Sequence, residues 1–230
     1  MKTKKPVAAT VASLEQEGDF CILTIKPPAK FRFKPGQFVK IYLDSKLKQF
    51  EPFSFFSAPE EKKVMFMFGS SSPFTKKLAA KKKGSKFYIE GPYGDFTISK
   101  TPNNSVLICK GLGLIPISSI GKSLIDNKKK LNIYLLYENM DKSDVMNEGR
   151  LVEFDKHKQV NILMTLLNER PMEWPGKIGP ITAEMIKDFV PGPKAKDYYI
   201  CGPATFVNRI RDTLKELRVP EKRISSEQWD

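Results

Sequence analysis

The segment Tyr199-Ile-Cys-Gly-Pro203 gives the clearest indication of how the second half of the chain folds. A short apolar run of this kind is typical of a buried strand in a parallel sheet, and the Gly-Pro pair separates it from a helix-length segment, Thr205–Leu217. The same order occurs upstream, where Val106–Cys109 leads through Gly111-Leu-Gly-Leu-Ile-Pro116 into Ile115–Asp126. Two such units predict a parallel sheet with helices on its faces.

The whole second half alternates between short apolar runs and helix-length segments. We predict strands at Val106–Cys109, Ile133–Tyr137, Val160–Leu163 and Tyr198–Cys201. The helices are predicted at Ile115–Asp126, Val145–Lys156, Ala183–Phe189 and Thr205–Leu217. This pattern is typical of a doubly wound α/β domain, which binds ligands outside the carboxyl ends of its strands. Residues 101–230 are therefore predicted to form a nucleotide-binding domain.

The first hundred residues consist of short segments rich in β-branched and aromatic residues, separated by turn residues. The predicted strands are Val7–Ser13, Phe20–Lys26, Gln37–Leu43, Phe53–Ser57, Val64–Phe68 and Lys86–Glu90. Six strands at this spacing favour a small antiparallel barrel of the Greek-key type. One helix, Ser72–Ala80, interrupts them, with Ser72 as its N-cap. Residues 1–100 are therefore predicted to form a separate barrel domain.

The composition limits the kinds of site that the chain can contain. Of its 230 residues, 40% are hydrophobic and 28% are charged. No apolar run approaches the roughly twenty residues of a bilayer span, and the chain begins without a signal-type apolar block, so we expect no membrane span and a cytoplasmic location. Cys21, Cys109 and Cys201 are too widely spaced for a local metal or iron–sulfur motif, and His157 is the single histidine, so no metal site is predicted.

The net charge of +13 is concentrated in the first half of the chain. Residues 1–100 hold 19 Lys and Arg against 9 Asp and Glu, whereas residues 101–230 hold 20 against 17. Such a basic domain favours the docking of an acidic protein, because long-range attraction raises the encounter rate. A lysine-rich solvated surface without a partner is the alternative. Nucleic-acid binding is not predicted, because the chain contains no recognisable module for it.

The glycines of the second half lie where an anionic ligand would bind. Gly111 and Gly113 follow a predicted strand, so that a diphosphate can approach backbone N–H groups, and Pro116 stands near the start of the next helix. Cys201-Gly202-Pro203 ends the fourth strand at the same edge. The thiol of Cys201 is either a small buried hydrophobe or a polarisable group that contacts a cofactor ring.

Taken in order, the motifs of the chain resemble those of the ferredoxin–NADP reductase family. The likeness rests on Phe33-Lys-Pro-Gly-Gln-Phe38 (its PGQ turn), Glu51-Pro-Phe-Ser54 (its Arg-x-Tyr-Ser flavin motif), Gly91-Pro-Tyr-Gly94 (its GPYG turn), Gly111–Pro116 (its GTGxxP loop) and Tyr199–Pro203 (its CGP motif). It covers nearly all of residues 7–229. The resemblance implies a flavin-dependent oxidoreductase that uses NADH or NADPH as a substrate.

The resemblance also implies which residues meet the flavin, which is FAD in this family, with FMN left open here. They are Glu51, Pro52, Phe53, Ser54 and Thr75. Phe53 would stack on the flavin ring, Ser54 would offer its hydroxyl to flavin N5, and Thr75 would meet the phosphates. Glu51 departs from the family pattern, because an arginine there clamps the phosphates whereas a carboxylate repels them. Flavin binding then depends on compensation by Lys76 and Lys77, early in the same helix as Thr75.

Two further departures concern the nicotinamide nucleotide. Leu112 replaces the usual threonine of the glycine loop and loses a hydroxyl. Beyond the second strand of the nucleotide domain, Glu138 and Asp141 stand where a basic residue would favour a 2′-phosphate. The sequence therefore favours NADH, although Lys142 weakens that preference.

The C-terminal Glu227-Gln-Trp229-Asp230 is interpreted either as a frayed end or as a cover for the flavin, with Trp229 over the ring and Glu227 beside it as a proton donor or acceptor. Catalytic roles are thus predicted for Ser54, Cys201 and Glu227. The predicted function is transfer of electrons from NAD(P)H through the flavin to a ferredoxin, a flavodoxin or a partner redox subunit. The alternative is a flavin-poor binding subunit of a larger redox complex.

Overall fold

The structure is a computed structural model, and it describes residues 5–127, 130–168 and 170–229. The chain divides into two compact units. The barrel unit comprises the described residues up to Thr97 together with Ser118–Ser123. The parallel-sheet unit comprises Ile98–Ile117 and the described residues from Leu124 onward. Within the described ranges, no helix combines the length and the apolar character needed to cross a membrane.

The barrel unit is built on a six-stranded antiparallel sheet. Its strands are β1 (Val7–Glu17), β2 (Phe20–Lys26), β3 (Phe38–Tyr42), β4 (Phe50–Ser54), β5 (Val64–Gly69) and β6 (Lys86–Tyr93). They are ordered β4-β3-β6-β1-β2-β5, and an antiparallel bridge between Phe55 and Phe66 connects the two edges. The predicted six-stranded antiparallel fold is confirmed. Aliphatic and aromatic side chains from all six strands form its core.

Three strands of this unit differ from the prediction by three or more residues, and one of them, β6, continues past Glu90 to Tyr93. β1 continues to Glu17, because its polar end still pairs with β2 up to Glu17 and Phe20, around a turn in which Gly18 has a φ of 56°. β4 begins at Phe50, since Phe50–Ser54 pairs with β3. The apolar run that suggested Phe53–Ser57 reflects burial, whereas the strand is defined by its backbone hydrogen bonds.

The parallel-sheet unit alternates strands and helices. Its strands are β7 (Ser105–Lys110), β8 (Ile133–Asn139), β9 (Val160–Leu166), β10 (Lys177–Ile178), β11 (Asp197–Pro203) and β12 (Ile224–Trp229). Its helices are α3 (Glu148–Asp155), α4 (Ala183–Phe189) and α5 (Ala204–Glu216), with both ends of α2 (Leu114–Asp126). The middle of α2, Ser118–Ser123, belongs to the barrel unit, as does α1 (Pro73–Ala79). All strand pairs in this sheet are parallel, in the order β10-β9-β8-β7-β11-β12. The predicted α/β fold is confirmed.

The strand order reverses between β7 and β11. The chain moves outward from β7 through β8, β9 and β10, and then returns to the other side of β7 with β11 and β12. Such a reversal leaves a crevice outside the carboxyl ends of the two central strands. The loops that follow β7 and β11 are therefore the places in this sheet where a ligand is expected.

Two strands, β10 and β12, and the start of α3 were not predicted from the sequence. β10 is only two exposed residues long, and β12 is rich in polar residues. Because β12 pairs with β11 from Ile224 to Trp229, the interpretation of the C-terminal segment as a frayed end is wrong for its described residues; Asp230 lies outside them. α3 begins three residues later than predicted, since Asn147 caps it by accepting a hydrogen bond from Arg150 N.

Candidate functional site

In the barrel unit, the predicted flavin motif on β4 meets the start of α1. The Ser72 hydroxyl donates to Glu51 Oε1 at 3.0 Å, while Ser72 Oγ accepts from Thr75 N at 3.0 Å. Thr75 Oγ1 accepts from Ser72 N at 3.0 Å, which completes a capping box. The structure thus brings Glu51 and Thr75 together through Ser72. Sequence analysis identified Ser72 only as a helix cap and missed its contact with Glu51.

The charge of Glu51 has no counterpart in this network. Among the described residues no lysine or arginine pairs with its carboxylate, and the Ser72 hydroxyl is its one hydrogen-bond partner. Lys76 and Lys77 lie in α1 but are exposed and make no ion pair with it. Both ammonium groups therefore remain available for the predicted role of meeting flavin phosphates, which stays a prediction.

Phe53 and Ser54 point to opposite faces of β4, because successive side chains of a strand alternate. The Phe53 side chain is 5% exposed, and its ring packs edge-on to Phe68 with centroids 5.5 Å apart and lies 6.2 Å from Phe74. The predicted stacking on a flavin therefore requires one face of this ring to open. The Ser54 hydroxyl is half-buried and has no partner among the described residues, and Pro52 is exposed.

The PGQ and GPYG turns of the barrel unit are tied together by one side chain. The Gln37 amide donates to Gly94 O at 3.1 Å, and its Oε1 accepts from Lys34 N at 2.8 Å. Gly36 has a φ of 87°, and a Cβ there would lie 2.1 Å from Phe96 O, so only glycine fits. The hydrogen bonds of Gln37 therefore join the turn before β3 to the turn after β6.

In the parallel-sheet unit, the loop after β7 packs directly on the end of β11. A Cβ on Gly113 would lie 2.1 Å from Cys201 O, and one on Gly202 would lie 2.6 Å from the Phe206 ring. The Tyr137 hydroxyl contacts the same loop, since it donates a hydrogen bond to Gly111 O at 3.4 Å. Close packing against the Cys201 backbone thus requires glycine at Gly113, whereas Gly111 has open space around it and a φ of 50°. Pro116 lies within the first turn of α2.

A row of four side chains crosses the carboxyl end of the sheet. Tyr137, Cys109, Cys201 and Glu227 are register partners on β8, β7, β11 and β12. Burial raises the pKa of both thiols, so Cys109 and Cys201 are neutral near pH 7. Burial likewise raises the pKa of Glu227 to about 7. The row therefore combines two soft thiols with a carboxyl group that exchanges its proton near neutral pH.

The structure brings the predicted residues Cys201, Gly202, Pro203, Glu227 and Trp229 together. Cys201 pairs with Glu227 and Pro203 with Trp229, on adjacent parallel strands. The indole of Trp229 is half-buried. This placement links the CGP motif to the C-terminal segment within one unit.

Glu138 is not available to repel a nucleotide phosphate, contrary to the sequence interpretation. Its side chain is 1% exposed, and its Oε2 accepts from Arg209 Nη2 at 2.6 Å and from Ile181 N at 3.0 Å. Its Oε1 makes an ion-pair contact with Lys110 Nζ at 3.1 Å, without a directional hydrogen bond. Neither cation is predicted from the sequence as a partner of Glu138, so the preference for NADH loses one of its two supports.

Matches to known families agree with the two units. An FAD-binding domain family matches residues 4–97, and an oxidoreductase NAD-binding domain family matches residues 107–212. The chain therefore belongs to the oxidoreductases that combine an FAD-binding domain with an NAD-binding domain. The predicted resemblance and the predicted cofactors, FAD and a nicotinamide nucleotide, are thereby confirmed at the level of the family.

The curated relatives of this chain include NADH-cytochrome b5 reductases of fungi. The reductase 1 of Laccaria bicolor is 30% identical over 62% of this chain and 48% of that protein. The reductase 1 of Candida albicans is 31% identical over 61% of this chain and 49% of that protein. The chain thus spans about half the length of the curated relatives it matches.

Solved structures show the same fold. The flavohem-like FAD/NAD-binding domain of nitric oxide dioxygenase from Vibrio cholerae has a TM-score of 0.83 at 18% identity, and the match covers 96% of this chain and 98% of that chain. A ferredoxin NADP+ reductase from Neisseria gonorrhoeae with bound FAD and NADP has a TM-score of 0.79 at 18% identity, covering 97% and 98%. At these identities the likeness establishes the fold.

The residues present fit the two cofactors of the family to different degrees. Gly111, Gly113 and Gly202 carry no side chains at the carboxyl ends of β7 and β11, and the first turn of α5 contains no acidic residue, which suits an anionic nucleotide. The free hydroxyl of Ser54 suits a flavin ring. Glu51 supplies negative charge where the resemblance implies flavin phosphate, so the fit is weakest there.

Proposed function

We propose that this protein is a flavin-dependent reductase that oxidises NADH or NADPH and passes the electrons to a separate carrier. The observation that carries the proposal is the pairing of Cys201 with Glu227 at the carboxyl edge of the NAD-binding sheet, in a chain that also contains an FAD-binding domain. When bound, FAD would supply the redox chemistry, because a flavin can take two electrons from a nicotinamide nucleotide and release them one at a time. The protein supplies positioning, exclusion of water and a proton site.

Cys201 and Glu227 serve different purposes in this proposal. The buried, neutral Cys201 thiol offers a polarisable surface to an aromatic ring without competing for protons. Glu227 has a pKa of about 7, so its carboxyl group is poised to hold or release a proton at neutral pH. Ser54 completes the catalytic set from the barrel unit as a hydroxyl donor toward flavin N5, as the family resemblance implies.

The binding residues divide between the two cofactors. Gly111, Gly113 and Pro116, with Gly202 and Pro203, would meet the nicotinamide nucleotide at the carboxyl edge of the sheet. Trp229, which is half-buried on β12, would cover the flavin ring, as the sequence predicts. On the barrel unit, Pro52, Phe53 and Thr75 would meet the flavin.

The proposed acceptor is a one-electron protein carrier with an acidic surface. The charge excess of residues 1–100 supports this choice, because opposite charges speed the encounter of two proteins. A ferredoxin or a flavodoxin fits that description, and cytochrome b5 is the carrier named for the fungal relatives. The test is the rate of reduction of each carrier at rising ionic strength, which should fall if charge guides docking.

The decisive experiment is the visible absorption spectrum of the purified protein, loaded with FAD if it is colourless, recorded anaerobically before and after NADH is added. We expect a flavin band that bleaches. A Cys201→Ala variant should retain the band but bleach more slowly. A protein that neither retains nor acquires flavin would contradict the proposal.

A second candidate function is a flavin-poor binding subunit of a larger redox complex. The specific observation in its favour is Glu51, whose carboxylate has only hydroxyl partners among the described residues. The same spectrum distinguishes the two functions, because this subunit would stay colourless after loading and yet bind a partner protein.

A further inference from the structure

Lys110, Glu138 and Arg209 place two cations around one carboxylate in the parallel-sheet unit. The Glu138 side chain is 1% exposed, whereas those of Lys110 and Arg209 are 22% and 36% exposed. The group therefore has a net charge of one positive unit, and only its cations reach solvent. Taking a carboxylate out of water requires compensation, which one cation can provide. The second cation leaves an excess that an anionic ligand would balance.

Both cations keep hydrogen-bond donors beyond these contacts. Arg209 uses Nη2 for Glu138 and Nη1 for Ile181 O at 2.8 Å, out of the five N–H groups of a guanidinium. Its guanidinium also lies over the Phe206 ring, 5.3 Å from the centroid, which fixes the plane of the group. Lys110 Nζ lies 3.1 Å from Glu138 Oε1 without a directional hydrogen bond, so its three ammonium hydrogens remain available. The two side chains are thus fixed in position, and each still has N–H donors for a further hydrogen bond.

The position of this group coincides with the crevice of the sheet. Lys110 is the last residue of β7 and directly precedes the Gly111 loop, and Glu138 is its register partner on β8. Arg209 lies on α5, the helix that follows β11. The two cations therefore flank the carboxyl edge at which the strand order reverses, where an open parallel sheet binds its ligand.

We propose that Lys110 and Arg209 bind a phosphate group of the adenine nucleotide half of NADH or NADPH, and that Glu138 positions both cations. The proposal rests on the proposed function, because it takes the nicotinamide nucleotide as the ligand. Arginine suits this task because its fork of N–H groups matches phosphate oxygens, and lysine adds a mobile point charge. The phosphate is either the diphosphate that both nucleotides share or the 2′-phosphate of NADPH.

The test is the binding of two probes, ADP-ribose and 2′,5′-ADP, to the full chain by titration calorimetry. Lys110→Met keeps the aliphatic stem and removes the charge, so we expect affinity to fall about tenfold, the usual effect of losing a charged hydrogen bond. A loss with ADP-ribose assigns the cations to the diphosphate. A loss confined to 2′,5′-ADP assigns them to the 2′-phosphate. Arg209→Gln should show the same pattern of losses.

Two control variants separate charge from folding. Lys110→Arg retains the charge and should retain most of the affinity. Lys222→Met removes an exposed lysine just before β12, at the opposite edge of the same sheet, and should leave both affinities unchanged. Unchanged binding of both probes in Lys110→Met and Arg209→Gln would overturn this proposal alone. Failure of the unaltered protein to bind either probe would overturn the proposed function as well.

Discussion

Glu51 in the barrel unit and Glu138 in the parallel-sheet unit are two carboxylates at predicted phosphate sites, but their surroundings differ. Glu138 is buried between Lys110 and Arg209, whereas Glu51 is half-buried and bonded to the hydroxyl of Ser72. In the first case the protein has reversed the local charge, and in the second it has not. The residue type alone therefore does not tell whether a site repels phosphate; its partners do.

The largest expected effect concerns Glu51. Two unit charges roughly 4 Å apart interact by about 4 kcal/mol at an effective dielectric of about 20, so reversing this charge should change phosphate binding strongly. We expect Glu51→Arg to raise FAD affinity by about a hundredfold or more, measured by quenching of flavin fluorescence. Glu51→Gln, which removes the charge without reversing it, should give a smaller gain. Equal or weaker binding in both variants would remove this account of the site.

The next effect concerns Glu227, a partly buried carboxyl group whose pKa of about 7 exceeds the ordinary 4.5. A raised pKa means that the folded state binds the proton more tightly, so this contribution to stability is complete below pH 4.5 and is lost as the pH rises through 7. The loss is on the order of 3 kcal/mol. In Glu227→Gln, denaturant titrations between pH 4.5 and 7 should show a flatter dependence than in the unaltered protein. Parallel curves would contradict the assignment.

A smaller effect is expected for the free energy of unfolding in Glu138→Gln. Removal of the carboxylate leaves Lys110 and Arg209 without their shared partner, at a cost of about 2 kcal/mol, because both cations are partly hydrated. Glu51→Gln should change stability by less than about 0.5 kcal/mol, since its partner is a hydroxyl at the edge of a short helix. Urea unfolding of the two variants side by side tests the comparison directly. Equal costs would show that the two environments do not differ energetically.

The smallest effect is expected for removal of Trp229 and Asp230. Because Trp229 pairs with Pro203, its loss shortens β12 next to the CGP motif and should change the KM for NADH by several-fold, or about 1 kcal/mol. Replacement of Trp229 by Phe, which keeps an aromatic ring and the strand, is the matched control. Normal kinetics in the truncated protein would count against a role for this residue at the ring site.

Most of the fold was predictable from patterns among neighbouring residues in the sequence. The alternation of strands and helices after residue 101 and the glycine turns predicted the parallel sheet, because these signals lie within a few neighbouring residues. β12 was missed because it is a half-buried edge strand with polar residues such as Ser225 and Glu227, and only its register with β11 reveals it. Burial by a neighbouring strand is a tertiary effect that periodicity does not report.

The candidate sites were predicted less completely than the fold. The motifs located Cys201, Gly113 and Ser54, but the partners of Glu138 were invisible, since Arg209 lies 71 residues away in the sequence. The link between Glu51 and Ser72 spans 21 residues and likewise depends on the packing of α1 against β4. Charge pairing across such distances is decided by the folded structure.

The parallel direction of β12 also determines where an added segment would emerge. A final antiparallel strand would deliver the chain to the edge opposite the ligand crevice, whereas β12 runs beside β11 and ends next to Pro203. Any affinity tag, fluorophore or fused domain attached beyond Trp229 therefore starts at the mouth of the nucleotide crevice. Such a label would report on ligand entry, and a bulky one would obstruct it.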